Sequence, residues 1–152
     1  MFLAMKNKNI NINNIVISEK KKNNIINDSY FYRIYYTNNN FISNGIVVNY
    51  RFVIYNMENF FKKIKLNFKE KDNVNNIKHI IMIEHKLLNY FTTVKTKKYL
   101  LRDQLRENFL KIQNNNESLN LSDLNIVLKI SGYWETNKEI GLTYRFFITE
   151  NV

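Results

Sequence analysis

The chain has 152 residues, of which 45% are hydrophobic and 14% aromatic, which is enough apolar material for the core of one domain. It has no cysteine and two histidines, which excludes disulfides, Cys-ligated zinc and a thiol nucleophile and leaves little for another metal site. Lysine and arginine number 23 against 13 acidic residues, and the formal net charge of +10 favours polyanionic partners.

Asparagine, isoleucine and lysine dominate the composition, with 28, 20 and 18 residues beside one alanine and no proline. These residues are encoded by A- and T-rich codons, so the composition indicates an AT-rich genome, such as that of a large DNA virus, a plasmid, an organelle or a parasite. No apolar run approaches the ~18 residues of a membrane span, and the N-terminus lacks a secretory signal. We therefore expect an intracellular protein, in the cytoplasm, at a viral replication site or in a virion, and no secretion or membrane partner.

The first part of the chain differs in composition from the rest. Residues 1–28 are rich in asparagine and lysine, and their one compact apolar run covers 15–17. This composition predicts a flexible basic arm over 1–28, with 15–17 as its one candidate for a short strand, followed by a single domain over 29–150.

Five segments of the domain are rich in β-branched and aromatic residues or alternate apolar with polar residues, as strands do. In chain order they are Tyr30–Thr37, Ile46–Tyr55, Phe61–Lys69, Ile126–Trp134 and Ile140–Thr149. Between the third and the fourth, the segment Ile77–Val94 has apolar residues at helical spacing, with the main helix near Ile83–Val94. This order predicts a mainly β domain with one or two helices, an OB-like five-stranded barrel with the main helix between strands 3 and 4. The alternative is an open antiparallel sheet plus helix, of α+β class. The segment 99–124 is an insertion outside the pattern, in which 99–105 is a candidate short helix and 109–112 a candidate extra strand.

Cations and rings share the second face of each predicted strand, opposite the apolar set. Binding of single-stranded nucleic acid needs cations that meet phosphates and exposed rings that stack on bases. The candidate nucleic-acid-binding residues are therefore Arg33, Tyr35, Arg51, Tyr55, Lys63, Lys65, Lys129, Tyr133, Arg145 and Phe147. Trp134 is four residues after Ile130, so strict alternation places both side chains on the apolar face, and we expect Trp134 in the core. An ordinary solvated strand face and a protein interface are the alternatives for this surface.

Catalytic patterns find little support in the sequence. His79 and His85 are six residues apart, on different sides of a helix, and no metal-ligand motif accompanies them. The aspartates are scattered along the chain, and three glycines leave no Gly-rich phosphate loop. We expect neither enzymatic activity nor a cofactor or metal ion.

The basic-aromatic strands and the closing hairpin, Leu128-Lys-Ile-Ser-Gly-Tyr-Trp-Glu to Gly141-Leu-Thr-Tyr-Arg-Phe-Phe, resemble OB-fold single-stranded DNA-binding proteins of viruses, phages and linear plasmids. The resemblance covers about 29–149 at the level of pattern. It implies sequence-tolerant binding that coats or protects single-stranded DNA, or RNA, during replication. The alternatives are a virion or organelle assembly protein, whose strands pair with neighbouring subunits, and a ribosome-associated RNA binder; a homo-oligomer is a further possible partner.

Overall fold

The structure is a computed structural model that describes residues 5–6, 10–26, 28–113 and 124–149. Within these residues the chain forms a curled twelve-stranded sheet, a half-barrel, with two helices. The strands are β1 (Met5–Lys6), β2 (Ile15–Ile17), β3 (Lys21–Lys22), β4 (Tyr30–Thr37), β5 (Ile42–Asn44), β6 (Ile46–Phe52), β7 (Ile54–Phe60), β8 (Lys63–Phe68), β9 (Thr96–Lys98), β10 (Phe109–Gln113), β11 (Leu124–Glu135) and β12 (Glu139–Thr149). The helices are α1 (Val74–Leu88) and α2 (Leu100–Arg106).

The main path of the sheet runs β1-β6-β11-β12-β10-β8-β7. The first half of β11 pairs with β6 and its second half with β4, along which β2, β3 and β5 also pair. Most of these pairings are antiparallel. The junction between β10 and β12 is parallel and has one registered pair, Ile112 with Phe146.

One core cluster lies between the two helices and the inner face of the curled sheet. Strand alternation sends every second residue of β8, β10 and β11 into this cluster, and α1 contributes a stripe at helical spacing. Representative members are Ile64, Leu66, Phe68, Leu110, Ile112, Leu128, Ile80, Ile83 and Leu87. We call the opposite side of the sheet the outer face.

A buried carboxylate fastens α2 to α1. The two oxygens of Glu84 accept the backbone N–H groups of Leu101 and Arg102 at 2.8 and 2.9 Å. These groups belong to the first turn of α2, whose own N-cap residue, Tyr99, makes no side-chain capping bond. Burial raises the pKa of Glu84 despite these hydrogen bonds. Glu84 therefore provides hydrogen-bond acceptors for two backbone N–H groups at the N-terminal end of α2.

The structure confirms the predicted mainly β fold with a barrel-like sheet. It also confirms that the main helix lies between the third predicted strand and the closing hairpin. The second predicted strand, Ile46–Tyr55, is divided at Val53 into β6 and β7. The buried side chain of Asn73 holds this corner, because it accepts the Val53 N–H at 2.8 Å and donates to the Val53 carbonyl at 3.0 Å.

The main helix begins and ends earlier than the apolar spacing predicts. It covers Val74–Leu88, and its C-cap residue, Asn89, donates both its backbone and its side-chain N–H groups to the His85 carbonyl. Tyr90, Phe91 and Val94 therefore lie beyond the helix. The predicted insertion, 99–124, contains α2 and β10, whereas β9 directly precedes it; residues 114–123 lie outside the described residues. No helix among the described residues is long and apolar enough to cross a membrane.

The described residues of the predicted arm pack on the domain. β2 pairs antiparallel with β4, Ile15 opposite Tyr36, and the Ile15 side chain is only 6% exposed. The backbone N–H of Asn11 also donates to the Tyr36 hydroxyl at 3.0 Å. Where the composition predicts a flexible segment, β2 and β3 pair with β4 and the side chain of Ile15 is buried.

Replacing Ile15 by alanine tests this attachment. We expect Ile15→Ala to lower the free energy of unfolding by about 2–4 kcal/mol, because it removes a buried branched side chain and leaves a cavity. Val16, one residue on, is 52% exposed, so Val16→Ala should change stability by less than about 0.5 kcal/mol. Urea denaturation measures both. Equal, small effects would mean that β2 adds nothing to the core.

Glu135 joins two separate segments to the end of β11. Its Oε1 lies 3.1 Å from the ammonium groups of both Lys20 and Lys95 and accepts the Tyr32 hydroxyl at 3.3 Å. Burial by itself would raise the pKa of this carboxyl, but the hydrogen bonds from Lys95 and Lys20 outweigh it and lower the pKa below its ordinary value of 4.5. The ionised form is therefore favoured by folding.

This shift predicts a pH-dependent contribution to stability. Because the folded pKa lies below the unfolded one, the contribution is present above about pH 4.5 and is lost as the pH falls through the folded pKa. We expect the advantage of the unsubstituted protein over Glu135→Gln, measured by urea denaturation from pH 3 to 7, to shrink below pH 4.5. Glu107→Gln, at an exposed position, serves as the control. A constant difference in the free energy of unfolding from pH 3 to 7 would contradict a lowered pKa of Glu135.

Candidate nucleic-acid interface

The outer face carries four cations in a row on four adjacent strands. Lys129 of β11 pairs with Arg145 of β12, and Lys111 of β10 pairs with Lys65 of β8. The parallel pairing of Ile112 with Phe146 sets Lys111 beside Arg145, so the four follow one another across the sheet. We call Lys129, Arg145, Lys111 and Lys65 the cationic row. With strands about 4.8 Å apart, the row spans roughly 15 Å.

Two aromatic rings lie on opposite sides of the cationic row. The Arg145 guanidinium is 5.5 Å from the centroid of the Phe147 ring. On the other side, the ammonium groups of Lys65 and Lys111 lie 4.5 and 5.6 Å from the centroid of the Phe109 ring. Cation–π attraction therefore draws the charged groups toward the rings and keeps both kinds of side chain on one surface.

Like charges directly opposite each other on paired strands are destabilising. Lys65 has a compensating carboxylate, since Glu58 Oε2 lies 3.6 Å from its ammonium nitrogen. Arg145 and Lys111 have no ion pair with a carboxylate of the described residues. The middle of the cationic row is thus a concentration of positive charge that an anion lying across the strands would neutralise.

A cavity of about 470 Å³ opens on the outer face beside the junction of β10 and β12. The two strands are in register at one pair only, which leaves room between them. Four cations, one amide and two apolar residues line it: Lys62, Lys63, Lys111, Arg145, Gln113, Ile112 and Phe146. We call it the cationic cavity.

A second cavity, of about 340 Å³, lies next to the first, between β7, β8 and β10. Its lining combines two rings and an isoleucine with lysines: Phe60, Phe109, Ile64, Lys63, Lys65 and Lys111. We call it the aromatic cavity. Lys63 and Lys111 line both cavities, so they stand at the border between them.

The structure brings five of the ten predicted binding residues together on one surface: Lys63, Lys65, Lys129, Arg145 and Phe147. Arg51 is exposed on the same face of β6, paired with Asn125. Its partner lies four residues from Lys129 along β11, a separation of about 13 Å, so Arg51 is at the margin of the surface.

Three predicted residues lie away from this surface. Arg33 is exposed on β4 and donates to the Asn44 side chain at 3.1 Å. Tyr35 is half-buried between β2 and β5. Tyr55 is 59% exposed at an irregularity of the edge strand β7, and the Lys69 ammonium is 5.6 Å from its ring centroid.

Tyr133 is a correction: it is fully buried, and the prediction of an exposed ring at this position is wrong. The register of β11 shifts between Ile130 and Gly132, and this β-bulge reverses the inward and outward parity of the residues that follow. The Tyr133 hydroxyl donates to the Leu87 carbonyl at 2.6 Å, and its ring packs 4.9 Å from that of Phe91. The same reversal leaves Trp134 half-buried outside the core, with its indole over Gly141.

Sequence reasoning missed four residues of this surface: Phe60, Lys62, Phe109 and Lys111. The alternation of Phe109-Leu-Lys-Ile indicates an extra strand, which the structure has as β10, but it does not show which strands pair with it. The sequence pattern leaves this segment in the insertion, whereas β10 lies between β8 and β12 in the sheet. Its neighbours in the sheet, β8 and β12, are distant from it in sequence.

The histidines take part in packing contacts. His79 Nδ1 is 2.8 Å from the Tyr50 hydroxyl, which joins α1 to β6, and burial raises the pKa of Tyr50. His85 is exposed and stacks on Tyr99 with ring centroids 6.2 Å apart. In the part of the chain that the structure describes, no three His, Cys, Asp or Glu side chains are grouped as metal ligands.

No protein-family model, curated protein or solved structure matches this chain. The function of the outer face therefore has to be inferred from its own residues and their arrangement.

Tyr133→Phe tests the corrected position of this side chain. The substitution removes a buried hydrogen bond and should lower the free energy of unfolding by about 1 kcal/mol. Tyr90→Phe, at a half-exposed ring, is the matched control and should leave stability within about 0.5 kcal/mol. Thermal or urea unfolding measures both. An equally small effect of the two substitutions would contradict the buried position of the Tyr133 hydroxyl.

Proposed function

We propose that this protein binds single-stranded DNA in a sequence-tolerant manner and coats or protects strands during replication of an AT-rich viral or plasmid genome. The observation that carries the proposal is the cationic row with Phe109 and Phe147 on its two sides. A polyanion laid along the row would neutralise charges that otherwise repel one another.

The rings favour a single strand over a duplex. Bases can stack on Phe109 or Phe147 only when they are unpaired, and each base–aromatic stack is worth about 1–3 kcal/mol. The bases of a duplex are already paired and stacked on one another, so duplex DNA would gain from the lysines and arginine but not from the rings.

The residue types also favour tolerance of sequence. Lysine and arginine contacts to phosphates position a strand but do not identify its bases. Stacking accepts any base, because every base has a π-face. The formal net charge of +10 would steer nucleic acid toward the protein from a distance and make association sensitive to salt.

Salt dependence is the direct test. For a single strand, log K should fall against log[salt] with a slope of about −0.7 for each phosphate neutralised, and we expect three to six phosphates per monomer. Arg145→Gln should reduce the steepness by about one phosphate, whereas Lys138→Gln, at the exposed β11–β12 turn, should leave the slope unchanged. The measurement is fluorescence anisotropy of labelled dT, rU and duplex oligonucleotides at several salt concentrations.

Two outcomes would count against the proposal. A flat salt response would mean that the cationic row does not meet phosphates. Tighter binding to the duplex than to the single strand would mean that the rings are not stacking platforms. Equal affinity for dT and rU would extend the proposal to RNA.

Subunit assembly is a second candidate function, and the edge strand β7 is the observation that favours it. In the described part of the chain β7 pairs with β8 alone, and its Tyr55 and Phe60 side chains are exposed. Unpaired strand edges are templates for pairing with another chain. Sedimentation over a range of protein concentrations, without nucleic acid and at high salt, distinguishes this function from strand binding, because only assembly through β7 persists there.

A further inference from the structure

We propose that the two neighbouring cavities hold one nucleotide of the bound strand, with its phosphate in the cationic cavity and its base in the aromatic cavity. This inference rests on the proposed function and names a subsite within that surface. It does not require any change of fold, because both cavities are formed by paired strands.

The cationic cavity has the charge that a phosphate needs. Lys62, Lys63, Lys111 and Arg145 come from the β7–β8 turn, β8, β10 and β12, and none pairs with a carboxylate of the described residues. Repulsion among these four cations raises the free energy of the site when no anion is bound. A phosphate would lower it, because a phosphate accepts several charge-assisted hydrogen bonds at once. Arg145 supplies the planar, forked guanidinium that matches two phosphate oxygens.

One of these cations, Lys62, lies in the turn between β7 and β8. It adopts a left-handed backbone conformation, φ 61°, which is unusual for a residue with a side chain. The two phenylalanines before it differ, because Phe60 lines the aromatic cavity, whereas Phe61 is 90% exposed, lines neither cavity and has its ring centroid 5.3 Å from the Lys62 ammonium.

The aromatic cavity has the chemistry that a base needs. Phe60 and Phe109 supply ring faces, and Ile64 adds apolar surface. Lys65 is compensated there by Glu58 at 3.6 Å. The uncompensated charge is therefore concentrated at Lys63 and Lys111, on the side that borders the cationic cavity.

The border that the two cavities share indicates which class of ligand fits both of them. A nucleotide joins a charged phosphate to a flat base through one sugar, so a single nucleotide can occupy both cavities across Lys63 and Lys111. Inorganic phosphate would fill only the first cavity, and a nucleoside only the second. The volumes of about 470 and 340 Å³ are in the usual range for small-molecule sites.

Competition with three small ligands tests this subsite in the full chain. Thymidine monophosphate, thymidine and inorganic phosphate are each titrated against a labelled dT oligonucleotide at low, constant ionic strength. We expect the monophosphate to displace the oligonucleotide at a concentration at least about tenfold lower than either fragment, because it alone engages both cavities.

Two pairs of variants locate the effect. Phe60→Ala and Lys111→Gln should each weaken monophosphate binding by about fivefold or more, as loss of a stack or of a charged contact predicts. Their controls, Phe61→Ala and Lys138→Gln, remove an exposed ring and an exposed charge that line neither cavity, and each should change monophosphate binding less than twofold. Phe61→Ala also removes the ring beside the Lys62 ammonium, so its small effect would show that the loss in Phe60→Ala comes from the aromatic cavity. Circular dichroism melting checks that each variant is folded.

The outcomes separate the subsite from the proposed function. If the oligonucleotide binds with the expected salt slope but the three small ligands compete equally, or Phe60→Ala matches Phe61→Ala, the subsite is wrong and the proposed function stands. If the monophosphate binds through both cavities but the oligonucleotide binds no more tightly, the subsite stands and the proposed function is wrong. If neither ligand binds, both are wrong.

Discussion

The position of β10 between β8 and β12 decides the chemistry of the outer face. β10 pairs with β8 over five residues and meets β12 at one registered pair, so it closes the gap between two parts of the sheet that are distant in sequence. Burial of Leu110 and Ile112 sets its register, because a slip by one residue would bury Lys111 and expose both apolar side chains. The cationic row and both cavities exist only in that register.

The β-bulge in β11 likewise decides which side chains of that strand face the core. β11 changes partner there, since β6 pairs up to Ile130 and β4 pairs from Gly132. The close approach of β4 requires glycine, because a Cβ on Gly132 would lie 2.0 Å from the Tyr32 carbonyl oxygen. The bulge thus lets one long strand pair with β6 along its first half and with β4 along its second half, and it turns Tyr133 inward to join the core.

Period-two alternation was sufficient to predict the parts of this surface that lie on regular strands. It placed Lys63 and Lys65 on one face of β8, and Lys129, Arg145 and Phe147 on one face of the closing hairpin, as the structure has them. It failed at Tyr133 and Trp134, because one inserted residue reverses parity; Gly132, a glycine inside a strand pattern, is the local signal of such an irregularity. For β10 it indicated a strand at 109–112 but not its place in the sheet, because the partners of this five-residue strand are far away in sequence.

The two faces of the sheet have separate physical roles, and this separation explains how a surface of like charges can be held in place. The apolar inner face fixes every register on which the cationic row depends, so the stabilising contacts lie on the side away from solvent. The lysines and the arginine extend from strands that cannot move apart without exposing that core. The packing of the core therefore offsets the mutual repulsion of these cations. The backbone of the phosphate-binding surface is also ordered before any ligand binds, so little of its conformational entropy is lost on binding. Only the long side chains remain to be ordered on binding, and the contacts of Lys65 and Lys111 with Phe109, and of Arg145 with Phe147, already restrict three of them.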